Sequence, residues 1–166
     1  MKLSQKQVAE IADSINSGFI CYVNAETGEY IDMMNSNTLS EYGISWEEED
    51  DEEPDDFNQQ WEKDLYDNVK SDMAKIDSWK HSIQIEKPES HESFEIMERF
   101  VDEIIPVGKL KSDFERALSR SHPFRNFNGI VHNCKYREEW FAFKQNALEE
   151  YVSRKFDEYV NYSLNK

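Results

Sequence analysis

Residues 19–33 read FICYVNAETGEYIDM and predict a β-hairpin. The flanks of this stretch, 19–23 and 29–33, are rich in aromatic and β-branched residues, which suit a pleated surface. The five residues between them end in Gly28, which can supply the positive φ that a short hairpin loop usually needs. Because the rest of the chain has mostly helical patterning, this hairpin decides for an α+β fold over an all-helical one.

Apolar residues at helical spacing flank the hairpin on both sides. The first set lies between a Ser4 cap and a Gly18 stop, and the second steps by four along residues 57–73. Each set predicts one amphipathic helix with a single apolar stripe. The stripes consist of Val8, Ile11, Ala12 and Ile15 in the first helix and of Phe57, Trp61, Leu65, Val69 and Met73 in the second.

The remainder of the chain predicts one more strand and then four helices. Residues 79–86 alternate, which places Trp79, His81, Ile83 and Ile85 on one side of a strand that Pro88 ends. Four helices follow, at about 90–105, 110–120, from Pro123, and from about Arg137. The sequence therefore predicts a single domain, 1–166, of the α+β class. It is mostly helical, and helices cover a small antiparallel sheet made of the β-hairpin and one further strand.

The net charge of this 166-residue chain is −16, since 35 residues are Asp or Glu and 19 are Lys or Arg. Most of the excess lies in residues 41–64, with 12 acids and one base, whereas residues 109–166 carry 11 bases and 8 acids. Seven consecutive acids at 47–53 repel one another, so residues 41–56 are expected to form a solvated acidic surface loop. Alternatively, this loop steers a basic partner or weakly collects divalent cations.

Composition excludes several functional classes. A surface this acidic excludes nucleic-acid binding by the whole protein surface, because such binding needs clustered Lys and Arg side chains. No apolar run has the roughly 18 residues of a membrane span, and residues 1–18 lack the apolar stretch of a signal peptide. We therefore expect a cytoplasmic protein with no membrane partner, in which Cys21 and Cys134 remain thiols.

Several short motifs are spread along the chain. They are YVNAETGE at 22–29, IEKPESHESFEIMERFV at 85–101, Leu110, FERAL at 114–118, PFRNF at 123–127 and EWFAF at 139–143. Their order and spacing resemble the bacterial group called Uncharacterised Protein Family 0158. The similarity covers nearly the whole chain apart from the acidic insert, and it implies no activity that could be assigned to individual residues.

Residues 122–129, HPFRNFNG, are the strongest candidate binding element. Aromatic side chains interleaved with Arg and Asn can stack on a base and hold a phosphate, especially with basic residues just upstream. The favoured interpretation is nevertheless that Phe124, Phe127 and Val131 face the core and that Arg125 merely pairs with an acid. The candidate binding residues are His122, Phe124, Arg125, Phe127, Lys109, Lys111, Arg116 and Arg120.

Catalytic and metal motifs are weak in this sequence. Glu95, Glu98 and Asp102 share one helix face, but no Glu-x-x-His partner accompanies them, so a solvated face is the favoured interpretation. His132 and Cys134 are separated by one residue, which is too close for the usual zinc spacing. There is no glycine-rich phosphate loop and no nucleophile elbow. No catalytic residue, metal or cofactor is predicted, although an enzyme using Cys134 or the Glu95 helix is a third alternative.

These observations favour a non-catalytic cytoplasmic binding or adaptor module. Its partner is expected to be a protein, recognised by the aromatic-rich helices and the mildly basic last third of the chain. The alternative is a nucleic-acid-associated regulator that uses the basic, aromatic-containing C-terminal third.

Overall fold

A computed structural model describes residues 1–42 and 59–163 of the protein. These residues form two compact units, Met1–Lys87 with Val152–Lys166, and Pro88–Tyr151. We call them the first and the second unit. The acidic loop predicted at 41–56, the Phe57 end of the predicted stripe and residues 164–166 lie outside the described residues, apart from positions 41 and 42.

The first unit contains a three-stranded antiparallel sheet in the order β2-β1-β3. The hairpin strands are β1 (Ile20–Asn24) and β2 (Tyr30–Met33), and β3 (Ser82–Ile85) pairs with the other edge of β1. The register pairs Cys21 with Asp32 in the hairpin and with Ile85 across β1 and β3. Gly28 has φ 74° in the hairpin loop, so the conformation that motivated the hairpin prediction is present.

Helix α1 (Gln5–Asn16) packs against β1 and β2 and buries the four apolar residues predicted for its stripe. It begins with a capping box: the backbone N–H of Gln7 donates to Ser4 Oγ (3.3 Å), and the backbone N–H of Ser4 donates to Gln7 Oε1 (2.9 Å). Helix α3 (Gln60–Asp77) also packs against β2 and buries Val69, Met73 and Ile76. The α+β class and the small antiparallel sheet covered by helices are confirmed.

Two local predictions for the first unit are incomplete. Helix α2 (Ser36–Glu41) was not predicted; it begins where Asn35 accepts a hydrogen bond from the backbone N–H of Thr38 (3.0 Å). Only Leu39 is buried in this short helix, so the helix has no apolar period. Strand β3 is shorter than predicted because the N–H of Trp79 donates to Ile76 O (3.0 Å), which keeps Trp79 in the turn after α3.

The second unit consists of α4 (Ser90–Ile104), α5 (Lys109–Ser119), α6 (Pro123–Val131) and residues 137–151 of α7 (Arg137–Ser163). Its core is an aromatic cluster centred on Phe100, whose ring lies 5.1 Å from Trp140 and 5.5 Å from Phe143 between centroids. Pro123 occupies the first turn of α6, as predicted. The four predicted C-terminal helices are therefore all present.

Candidate binding site

Three of the predicted binding residues lie on α5 or directly after it. Lys109 and Arg116 are seven residues apart on one face of the helix, and Arg120 follows the last helical residue with extended backbone geometry. All three side chains are exposed. Asp113 lies on the same face as Arg116, and one of its carboxylate oxygens is 3.7 Å from an Arg116 guanidinium nitrogen. We call Lys109, Arg116 and Arg120 the basic row.

The other predicted binding residues do not join this row. Phe127 is fully buried in the aromatic core, so its side chain contributes to packing and cannot reach a ligand. His122, Phe124 and Arg125 are exposed at the start of α6, where His122 has left-handed backbone geometry. Lys111 is half-buried and its Nζ donates to the backbone carbonyl of Asp102 (3.3 Å).

The core-facing interpretation of α6 is right for Phe127 and Val131, which are both buried. It is wrong for Phe124 and Arg125. Phe124 is 38% exposed, and Arg125 makes no ion pair with any residue in the described parts of the chain. Among the described residues, no hydrogen bond, ion pair or ring contact links His122 or Arg125 to the basic row. The structure therefore does not gather the predicted residues into one pocket.

A groove of about 320 Å³ lies between α4 and α5. Helix α4 supplies positions 94, 98, 101 and 102, which share one side of the helix, and α5 supplies positions 115, 118 and 119. Val101 is buried at the bottom, and the half-buried Phe94 and Leu118 flank it. The groove therefore has an apolar floor that remains open to solvent.

The rim of this groove is acidic. Glu98 and Asp102 are one turn apart on α4, Glu115 stands on α5, and all three side chains are exposed. Within residues 1–42 and 59–163, none of these three carboxylates takes part in an ion pair. Lys111 Nζ also lies at this rim, where it donates to the backbone of Asp102. The groove thus combines apolar contact area with three carboxylates whose charge Lys111 offsets in part.

A depression of similar volume in the first unit has a different character. Its lining includes Glu10, Ser14 and Tyr30, and these polar groups are already hydrogen-bonded within the protein. Tyr30 Oη donates to Glu10 Oε2 (2.8 Å), and Ser14 Oγ donates to Asp32 Oδ2 (2.9 Å). Burial and the hydrogen bond to Glu10 raise the pKa of Tyr30 to about 12. Because its polar groups already pair with one another, this depression is a weaker candidate than the α4–α5 groove.

Neither thiol is placed as an activated nucleophile. Cys21 lies fully buried in β1, and burial, followed by the charge of Asp32, raises its pKa to about 12 despite a hydrogen bond with Ser14. Cys134 is half-buried and its Sγ donates to Val131 O (3.4 Å). The neighbouring His132 instead packs its ring 5.9 Å from that of Phe141, between centroids.

The described residues contain neither a cluster of side chains that could bind a metal nor a helix that could span a membrane. Across residues 1–42 and 59–163, no group of three or more His, Cys, Asp or Glu side chains could hold a metal ion. In those same ranges, no helix is both long enough and apolar enough to cross a membrane.

The alkaline stability of the protein should report the state of Cys21. Since burial raises its pKa from 9.0 to about 12, the folded state retains the thiol proton that the unfolded chain releases. This contribution to stability is complete below pH 9 and is lost as the pH rises towards 12. We expect it to fall by about 1 kcal/mol between pH 9 and 10. Urea denaturation of the wild type and of Cys21→Ala at both pH values measures it, and equal pH dependence in the two proteins would refute it.

The α4–α5 groove is the feature that the sequence analysis missed. Glu98 and Asp102 were correctly placed on one helix face. The missing information was that α5 packs beside this face and leaves Phe94 and Leu118 partly open. The pattern of positions 94, 98, 101 and 102 on α4 was the available signal, because it places apolar and acidic side chains on one side of the helix.

No family model, curated protein or solved structure matches this chain.

Proposed function

We propose that the protein is a non-catalytic binding or adaptor module of the cytoplasm, and that it recognises a partner protein through the α4–α5 groove. The observation that supports this proposal is the open apolar floor, formed by Phe94, Val101 and Leu118, inside a charged rim. Protein interfaces commonly have this arrangement, with an apolar centre that excludes water and a polar periphery.

The dimensions of the groove favour a protein segment over a small molecule. Its volume of about 320 Å³ is at the low end of the range for small-molecule pockets, roughly 300–1,000 Å³. Such an open groove suits one or two side chains that project from a larger partner. The loop that joins the two groove helices also carries Val107, which is 94% exposed and adds apolar surface.

A site-specific crosslinking experiment tests this proposal. A photoreactive amino acid at Ser119, on the groove wall, should crosslink a partner in cells, whereas the same group at the exposed Glu138 of α7 should not. The captured protein is then purified and titrated against the wild type and against Ser119→Trp, which fills the groove without changing its charge. We expect the substitution to weaken binding by about tenfold or more.

Two results would contradict the proposal. One is equal crosslinking from positions 119 and 138, which would indicate capture without a defined site. The other is unchanged affinity of the purified partner for Ser119→Trp. Circular dichroism of each variant shows whether its helices are intact, so that a failure of folding is not read as a loss of binding.

A nucleic-acid-associated role is the second candidate, because Lys109 and Arg116 share one exposed face of α5 and the exposed Arg120 follows directly after the helix. Asp113 offsets one of these charges through its pairing with Arg116. This role predicts a gel shift with single-stranded RNA at low salt that Arg120→Glu removes. Absence of a shift at low salt would reject it.

Membership in Uncharacterised Protein Family 0158 also remains a proposal. It rests on the order and spacing of the motifs at 22–29, 85–101 and 114–143. The proposed function does not depend on this membership.

A further inference from the structure

We propose that the occupant of the α4–α5 groove is a cationic amphipathic segment of a partner protein, with an apolar side chain on the floor and Lys or Arg side chains at the rim. This inference rests on the proposed function and specifies the chemistry of the partner. Its basis is the position of three carboxylates around an open apolar floor.

The charges stand on both walls of the groove. Glu98 and Asp102 line the α4 wall and Glu115 lines the α5 wall, so a segment lying between the helices meets negative charge on either side. Arg99 of α4 does not neutralise these carboxylates. Its guanidinium nitrogens instead pair with carboxylate oxygens of Glu103 (3.6 Å) and Glu150 (3.7 Å). Lys111, whose Nζ donates to the backbone carbonyl of Asp102 (3.3 Å), supplies one positive charge beside these three carboxylates. An acidic segment would therefore meet net repulsion on its way to the floor.

The charge of the whole chain acts in the same direction without being specific to the groove. The net charge of −16 attracts cationic segments at long range, but most of the excess lies in residues 41–64. Association should therefore be faster at low salt and slow as salt screens the attraction.

A second copy of this chain is a poorer fit than a separate partner. The outer face of α5 carries Lys109 and Arg116, but the neighbouring positions on that face are Ser112 and Asp113, neither of which could anchor on the floor. The start of α6 combines the exposed Phe124 with Arg125, so self-association through that segment is one outcome that the experiment must detect.

Fluorescence anisotropy with two designed peptides tests the inference. One labelled peptide places Leu and Lys at helical spacing, and its matched partner replaces every Lys with Glu. The full-length wild type should bind only the Leu-Lys peptide. We expect Glu98→Lys and Ser119→Trp each to weaken this binding by about tenfold, whereas Glu138→Lys, which makes the same charge change away from the groove, alters it by less than about twofold.

Glu98→Lys should fold normally, because the new cation faces Asp102 one turn along the exposed surface of α4. Glu98→Gln, which removes the charge without reversing it, provides an independent variant and should weaken binding by a smaller factor. Circular dichroism and sedimentation velocity of each protein establish its helix content and oligomeric state. A smaller loss of peptide affinity for Glu98→Gln than for Glu98→Lys supports the inference.

The contrary outcomes separate this inference from the proposed function. If the Leu-Glu peptide binds as tightly as the Leu-Lys peptide and Ser119→Trp abolishes its binding, the groove binds proteins but the inference of a cationic partner is wrong. If the Leu-Lys peptide binds the wild type and both groove variants equally, it binds elsewhere and the inference fails. If neither peptide binds, the inference fails while the crosslinking experiment still decides the proposed function. A wild-type dimer that Glu98→Lys dissociates would identify a second copy as the occupant instead.

Discussion

Replacing Phe100 with alanine is expected to lower the free energy of unfolding by about 3–5 kcal/mol, the largest loss that we predict for a single substitution. The Phe100 side chain is fully buried, and its ring contacts those of Phe114, Phe127, Trp140 and Phe143. Alanine would remove all of these contacts and leave a cavity where the core helices meet. Urea denaturation followed by far-UV circular dichroism measures the loss.

Phe124→Ala is the matched control for this substitution. The same atoms are removed from a ring that is 38% exposed at the start of α6, so a change of less than about 1 kcal/mol is expected. Similar losses for the two variants would show that Phe100 does not occupy the centre of the packing. Because Phe100 and the groove residue Phe94 both belong to α4, this result also tests the helix on which the proposed site is built.

Asn24→Ala is expected to cost about 2 kcal/mol, the second largest effect. Asn24 is a buried polar residue at the end of β1, and its Oδ1 accepts hydrogen bonds from the backbone N–H groups of Glu26 (2.9 Å) and Thr27 (3.2 Å). Alanine would leave both donors of the hairpin loop without this acceptor. The loss is measured by the same denaturation experiment.

Asn24→Asp retains an acceptor oxygen at the same position and should therefore preserve most of the stability. The hairpin loop is also held by backbone bonds, since the N–H of Gly28 donates to Asn24 O (2.8 Å). If Asn24→Ala were as stable as the wild type, these backbone bonds would be sufficient by themselves and the role that we assign to the side chain would be wrong.

Local signals in the sequence were enough to predict most of the fold. The hairpin was predictable because strand-forming residues and Gly28 lie within fifteen consecutive positions. Helix α4 was predictable because its apolar spacing and the stop at Pro106 are contained in one segment. Helix α2 was not, because one buried leucine in six residues has no period.

The candidate site was much less predictable, since it depends on how separate helices pack. The sequence placed Phe127 on an apolar helix face, but only the structure shows that this face is fully buried while Phe124 remains partly exposed. It placed Glu98 and Asp102 on one face of α4 without indicating that Glu115 and Leu118 of α5 stand opposite. Spacing along one helix cannot specify such a pairing, because the partner residues are separated in the chain.

The most direct test of the central claim is a titration of isotopically labelled, full-length protein with the Leu-Lys peptide, followed by backbone amide NMR shifts. The proposed site predicts shifts in the α4 and α5 residues that line the groove, with Phe94, Glu98, Leu118 and Ser119 among the largest. The shifts should saturate with peptide and should be absent for Ser119→Trp. Shifts confined to residues outside α4 and α5, or equal shifts in the groove variant, would contradict the account.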